Sequence, residues 1–169
     1  MASLEIDPKM RLVLALDDIK TLEEAGQIVE LLSDEIEYFK LGYELQQHLL
    51  NAYFVENDEQ AHRDLDVGRK FIKPLKKRIL WDVKYNDVET TIKLVVPLLC
   101  KHGFIKMFTV HSPSGIPSIR AAVQNSCFSS LSGEGDEAKV HDRPLVLGVT
   151  LLTSFNEMRT NITFNRSVK

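Results

Sequence analysis

The chain is short of cysteine, of excess positive charge and of long apolar runs, and each shortage removes a class of protein. Two cysteines, Cys100 and Cys127, are too few for a disulfide framework, and their spacing matches no metal motif. They read as reduced thiols of a cytoplasmic protein. Lys and Arg number 21 against 24 Asp and Glu, a net charge of −3. With no basic stripe to neutralise phosphates, nucleic acid is not expected as a partner. The longest apolar runs, such as Leu94–Cys100, fall far short of the roughly 20 residues that cross a bilayer, so no membrane partner is expected. Met1–Met10 carries Glu5, Asp7 and Lys9 and lacks the apolar stretch of a signal peptide. The sequons at Asn161 and Asn165 matter only on a secretory route and are set aside.

What is present suits one globular core. The 169 residues are 44% hydrophobic and 27% charged, which is ordinary for a folded domain and too apolar for a disordered chain. A single domain over 1–169 is expected.

Five short apolar runs recur along the chain: Leu12–Leu16, Ile36–Lys40, Ile79–Val83, Phe104–Val110 and Leu145–Thr150. Near-continuous apolar runs suit strands covered on both faces, as in parallel sheets. Between them lie helical patterns. Thr21–Ser33 places Leu22, Ala25, Ile28, Val29 and Leu32 on one stripe, with Thr21 and Glu24 as a capping box. Val67–Lys77, Thr90–Lys101 and Ile116–Gln124 read likewise, with Pro74 and Pro97 expected to kink or end their helices. Two long connections, Asn51–Asp66 and Asn125–Arg143, are expected to be surface excursions. Strand–helix alternation predicts βαβ units and a parallel sheet. A closed (β/α)8 barrel needs eight strands and typically ~250 residues. Five strands therefore predict either an open sheet or an incomplete barrel.

Polar residues gather where each run ends: Asp17, Lys40, Asp82 with Lys84, His111, and Thr153 with Ser154. Parallel α/β folds bind ligands at the carboxyl ends of their strands. Strand ends also turn polar simply because they meet water, so a single such residue says little; five in register say more. The sharpest local pattern is Asp82-Val-Lys84-Tyr-Asn-Asp87. Strand period two puts Asp82 and Lys84 on one face, and buried ionisable groups are almost always paired or functional.

These segments together resemble the orotidine 5'-phosphate decarboxylase family. The resemblance rests on Leu14-Ala-Leu-Asp17, Phe39-Lys-Leu-Gly42, Leu80-Trp-Asp-Val-Lys-Tyr-Asn-Asp-Val88 with Thr91, Thr109-Val-His-Ser-Pro-Ser-Gly115 and Gly148-Val-Thr-Leu-Leu-Thr-Ser154. It implies a TIM barrel, of which this chain holds about the first five β/α units, and a cofactor-free, metal-free decarboxylation of orotidine 5'-phosphate to UMP, the last step of de novo pyrimidine synthesis. It also implies a homodimer with shared active sites. By the same resemblance Asp17 binds the ribose hydroxyls, and Lys40, Asp82, Lys84 and Asp87 form a charged network. Asp87 and Thr91 reach across the dimer interface, and Thr153 and Ser154 contact the pyrimidine. His111 is expected to be structural.

The chemistry agrees with those roles. Loss of CO₂ leaves a carbanion at C6 of the pyrimidine, and an ammonium at Lys84 can stabilise that charge and then protonate it. The carboxylates of Asp82 and Asp87 favour the ammonium form. Asp82 beside the substrate carboxylate adds repulsion that is relieved as neutral CO₂ departs. The family's phosphate-gripping loops, which follow its later strands, have no counterpart here, so affinity and turnover are both expected to suffer, to the point of inactivity for the chain by itself. Two alternatives stay open: an inert fragment acting at most as a dimerisation partner, and a phosphosugar lyase or aldolase that holds Mg²⁺ on Asp82.

Overall fold

Residues 12–54, 59–75, 78–101, 103–126, 143–150 and 152 are described by a computed structural model. Five parallel strands, β1 (Val13–Ala15), β2 (Tyr38–Leu41), β3 (Ile79–Tyr85), β4 (Ile105–His111) and β5 (Leu145–Val149), lie side by side in sequence order. The five apolar runs become the five strands, with no end shifted by more than two residues. Parallel crossovers are almost always right-handed, so with sequential neighbours paired in order the connecting helices fall on one side of the sheet. This is the winding of a (β/α)8 barrel, and it excludes the doubly wound open sheet.

The helices are α1 (Leu22–Leu32), α2 (Tyr43–Phe54), α3 (Glu59–Ile72), α4 (Glu89–Cys100) and α5 (Ile116–Asn125). In α1 the Thr21 hydroxyl accepts from Glu24 N at 3.1 Å. The Glu24 carboxylate reaches Lys20 N at 3.3 Å, one residue earlier than a standard capping box. Leu22, Ala25 and Val29 of α1, Ile92, Val96 and Cys100 of α4, and Ala121 and Ala122 of α5 bury one core against Phe39, Leu41, Ile79, Phe108 and Val110 of the sheet.

Two expectations are corrected. Asn51–Asp66 is not a surface excursion: its ends belong to α2 and α3, so β2 and β3 are joined by a helix pair. The polar composition hides them because a helix on a barrel's outside needs only a narrow apolar stripe. In α2 one buried position is held by Gln46, whose side-chain amide donates to Leu41 O at 2.8 Å. The expected Val67–Lys77 helix is the last part of α3, which ends at Ile72 in a 3-10 turn over Lys73–Leu75 containing Pro74. Pro97, by contrast, sits inside α4, and the helix runs on to Cys100. The second excursion falls almost wholly outside the described residues.

The side of the sheet away from the helices carries the row Ala15, Lys40, Leu80, Met107 and Leu145, matched by strand register. Its apolar members at the edges are open: Val13 is 42%, Leu145 55% and Leu147 36% exposed.

Candidate active site

The charged residues stand on that open side, at the carboxyl ends of β1, β2 and β3. Asp17 follows β1, Lys40 lies in β2, and Asp82 and Lys84 lie two apart in β3. Lys40 Nζ is 2.5 Å from Asp17 Oδ2 and 3.5 Å from Asp82 Oδ2. Lys84 Nζ is 2.8 Å from the same Asp82 oxygen. Two ammonium groups therefore share one carboxylate oxygen, and the other, Oδ1, accepts from the Thr109 hydroxyl at 2.9 Å.

A local distortion in β3 makes this arrangement possible. Trp81 pairs with Phe108 and Tyr85 with Val110, so four steps on β3 match two on β4. The segment bulges, and inside it Lys84 takes φ +48°, in the left-handed region that non-glycine residues rarely enter. Strain of this kind persists only where neighbours enforce it. The Val83–Lys84 peptide is held at both ends by side chains: Val83 O accepts from Tyr43 Oη at 3.0 Å and Lys84 N donates to Thr109 Oγ1 at 2.8 Å.

A second left-handed residue, Asp18 at φ +59°, turns the chain just after Asp17. Gly42 leaves room for the Asp17 carboxylate, since a Cβ at position 42 would stand 2.6 Å from Asp17 Oδ1.

Burial alone pushes the Asp82 carboxyl up. Hydrogen bonds from Lys84 and Thr109 and the charges of Lys84 and Lys40 outweigh it, leaving Asp82 below its ordinary value. Burial likewise pushes Lys40 down, but its hydrogen bond to Asp17 and the charges of Asp17 and Asp82 leave it above its ordinary value. The cluster thus keeps carboxylate and ammonium forms side by side in a part-buried site.

Four of the expected site residues, Asp17, Lys40, Asp82 and Lys84, are brought together. Asp87 stands exposed in the loop after β3, its carboxylate accepting from Val88 N at 2.7 Å. Thr91 lies in the first turn of α4. Among the described residues, no ion pair or hydrogen bond ties Asp87 or Thr91 to the cluster. Thr153 and Ser154 lie outside the described residues. His111 ends β4 with Nε2 buried and without a hydrogen-bond partner among the described residues.

Sequence reasoning missed Thr109 and Tyr43. Thr109 stands within one of the segments that carry the resemblance, and a threonine two residues before the strand-end His111, on the same face of β4, was the available signal. Among the described residues no group of three or more His, Cys, Asp and Glu side chains gathers as a metal site. No helix among them is long and apolar enough to cross a membrane. A hollow of about 580 Å³ between α1 and α3, lined in part by Leu22, Val29, Phe71 and Pro74, lies on the helix side of the sheet and shares no residue with the cluster.

The chain as a whole resembles known proteins. The family model described as "Orotidine 5'-phosphate decarboxylase / HUMPS family" matches residues 10–167. An orotidine 5'-phosphate decarboxylase of Heliobacterium modesticaldum is 29% identical over 152 residues, covering 90% of this chain and 53% of that protein. The crystal structure of orotidine 5'-phosphate decarboxylase from Lactobacillus acidophilus superposes with a TM-score of 0.55 at 25% identity, covering 91% of this chain and 58% of that one. An uncharacterized conserved protein from Geobacillus kaustophilus shares the fold with a TM-score of 0.63 at 20% identity, covering 92% and 62%. The chain spans about half the length of the curated relatives it matches.

Proposed function

The chain belongs to the orotidine 5'-phosphate decarboxylase / HUMPS family, and we propose that its strand-end cluster decarboxylates orotidine 5'-phosphate to UMP without a cofactor. The observation that carries this reading is the pairing of Lys84 Nζ with a buried carboxylate, Asp82, at 2.8 Å on a strained, clamped backbone. In this reading the substrate carboxylate enters beside Asp82. The bond from C6 to the carboxyl carbon breaks, the electron pair stays on C6, and CO₂ leaves neutral. Lys84 Nζ–H then gives its proton to C6 and recovers one from water. A fixed ammonium stabilises the developing carbanion more than the ground state, which is what accelerates the step.

Lys40 orients Asp17 and Asp82, and Asp17 offers its second oxygen to the ribose hydroxyls. Asp87 and Thr91 complete the site of a second subunit in a cytoplasmic homodimer; the exposed Asp87, whose backbone carbonyl is anchored by the Ser118 hydroxyl at 2.8 Å while its carboxylate accepts from the neighbouring Val88 N, supports that assignment. Thr153 and Ser154 contact the pyrimidine. The same geometry disfavours Mg²⁺ on Asp82, since both carboxylate oxygens are already taken by Lys84, Lys40 and Thr109.

The test is release of labelled CO₂ from carboxyl-labelled orotidine 5'-phosphate in a single-turnover format, with the chain in excess over substrate. The assembled Lys40–Asp82–Lys84 cluster argues against the inactivity expected from the sequence: release is expected, unchanged by EDTA and abolished in Lys84→Ala. No release, release lost on chelation, or release that persists in Lys84→Ala each contradicts the proposal.

A further inference from the structure

We propose that Thr109 is the positioning residue of this site, the side chain that fixes the bulge of β3 and the Asp82 carboxylate in one act. A strand that bulges loses its ladder partners, and a backbone N–H left without an acceptor in a part-buried site is costly. Across the bulge β4 contributes one residue between Phe108 and Val110, and that residue is Thr109. Its hydroxyl accepts the Lys84 N–H at 2.8 Å in place of a ladder carbonyl. Having accepted there, the same hydroxyl must point its own proton elsewhere, and it donates to Asp82 Oδ1 at 2.9 Å.

The direction of each bond is forced. A backbone N–H can only donate and an ionised carboxylate can only accept, so the hydroxyl is the one group that can bridge them. Tyr43 completes the clamp from α2 by donating to Val83 O, the other end of the same peptide. With the peptide and the carboxylate both fixed, Lys84 Nζ and Asp82 Oδ2 are held 2.8 Å apart before any substrate arrives. Thr109 is 6% exposed, so water cannot readily substitute for its hydroxyl.

Valine has threonine's shape and no hydroxyl, whereas serine keeps the hydroxyl. This inference goes with the reading of Lys84 and Asp82 as the reacting pair, but its test needs no turnover, so the two can fail separately. The measurement is hydrogen exchange of the Lys84 amide together with carboxyl-carbon NMR of Asp82 across acidic pH. In the unsubstituted chain the Lys84 amide is expected to be protected although it sits in a bulge. In Thr109→Val its exchange is expected to accelerate about tenfold, as for loss of one hydrogen bond, and Asp82 is expected to titrate at higher pH. Thr109→Ser is expected to restore both. In Tyr43→Phe, a substitution at an exposed helix start, the Val83 carbonyl carbon is expected to lose its hydrogen-bonded shift while Asp82 titrates as before. An unprotected Lys84 amide in the unsubstituted chain overturns the proposal without recourse to any variant. So does a Thr109→Val protein whose Lys84 exchange and Asp82 titration are unchanged, or a folded Thr109→Ser protein that behaves like the valine form.

Discussion

Two cationic side chains flank β3, Arg78 before its first residue and Lys84 near its last, and the fold uses them in opposite ways. Arg78 is spent on backbone. Its guanidinium donates to Glu37 O at 2.9 Å, to Ser33 O at 3.1 Å and to Ile36 O, and lies 5.2 Å above the Phe39 ring. Those carbonyls belong to the turn leaving α1 and entering β2, so Arg78 ties three elements together at the amino-terminal end of the sheet. Its planar fork satisfies several acceptors at once, a task for which lysine is unsuited. Among the described residues Lys84 donates to no carbonyl in the same way. It is held by one carboxylate, at the price of a strained backbone, and remains 35% exposed. The contrast teaches how the two ends divide the work: the closed end stabilises, and the open end keeps a charge available.

The largest expected effect breaks the closed end. Arg78→Ala leaves the three carbonyls without their donor and removes the stacking on Phe39, which should destabilise the chain by about 3 kcal/mol. Urea denaturation checks it. The substitution should leave the exchange behaviour of the Lys84 amide intact in whatever fraction stays folded, because among the described residues no side-chain hydrogen bond joins the two ends.

The second prediction concerns pH and sharpens the open end. Asp82 lies below its ordinary value of 3.8 in the folded chain. Its contribution is therefore full above 3.8 and is lost as pH falls through the lowered value. Lys40 lies above its ordinary value of 10.5. Its contribution is full below 10.5 and is lost as pH rises through the raised value. Stability should thus be flat between these limits and fall outside them. In Asp82→Asn the acid limb should shrink, and the alkaline limb should shrink less, since Lys40 keeps Asp17. Denaturation midpoints measured across pH decide this.

The smallest effect isolates the strain. At an ordinary strand position glycine is about 0.5–1 kcal/mol worse than alanine. At position 84 the order should reverse, with Lys84→Gly about 1 kcal/mol more stable than Lys84→Ala, because only alanine has a Cβ to crowd a left-handed backbone. Comparing the two variants cancels the loss of the ammonium, which both share.

The strands were legible because each is a compact apolar run, and four of the charged site residues were legible because they close those runs. The helix pair between β2 and β3 was not. Its outward faces are polar, and Gln46 fills a buried position by hydrogen bonding to Leu41 O, which no hydrophobic periodicity reports. The bulge was illegible for a different reason. No glycine marks it; a lysine carries the positive φ, and the side chains that enforce it, Tyr43 and Thr109, lie 41 and 25 residues from Lys84 in sequence. Strain imposed by distant partners leaves no local trace. Asp87 and Thr91 are a third case, since one chain does not gather them with the rest.

The measurement that tests the division of labour most directly takes Lys84→Ala and reads its thermal midpoint and its single-turnover CO₂ release in one preparation. Lys84 is part-exposed and Asp82 keeps Thr109 and Lys40, so the midpoint is predicted to stay within a few degrees of the parent, a stability change of about 1 kcal/mol or less, while release disappears. A variant that melts as early as Arg78→Ala, or one that still releases CO₂ at the parent rate, contradicts the account: the first would make Lys84 a structural cation, and the second would remove it from the chemistry.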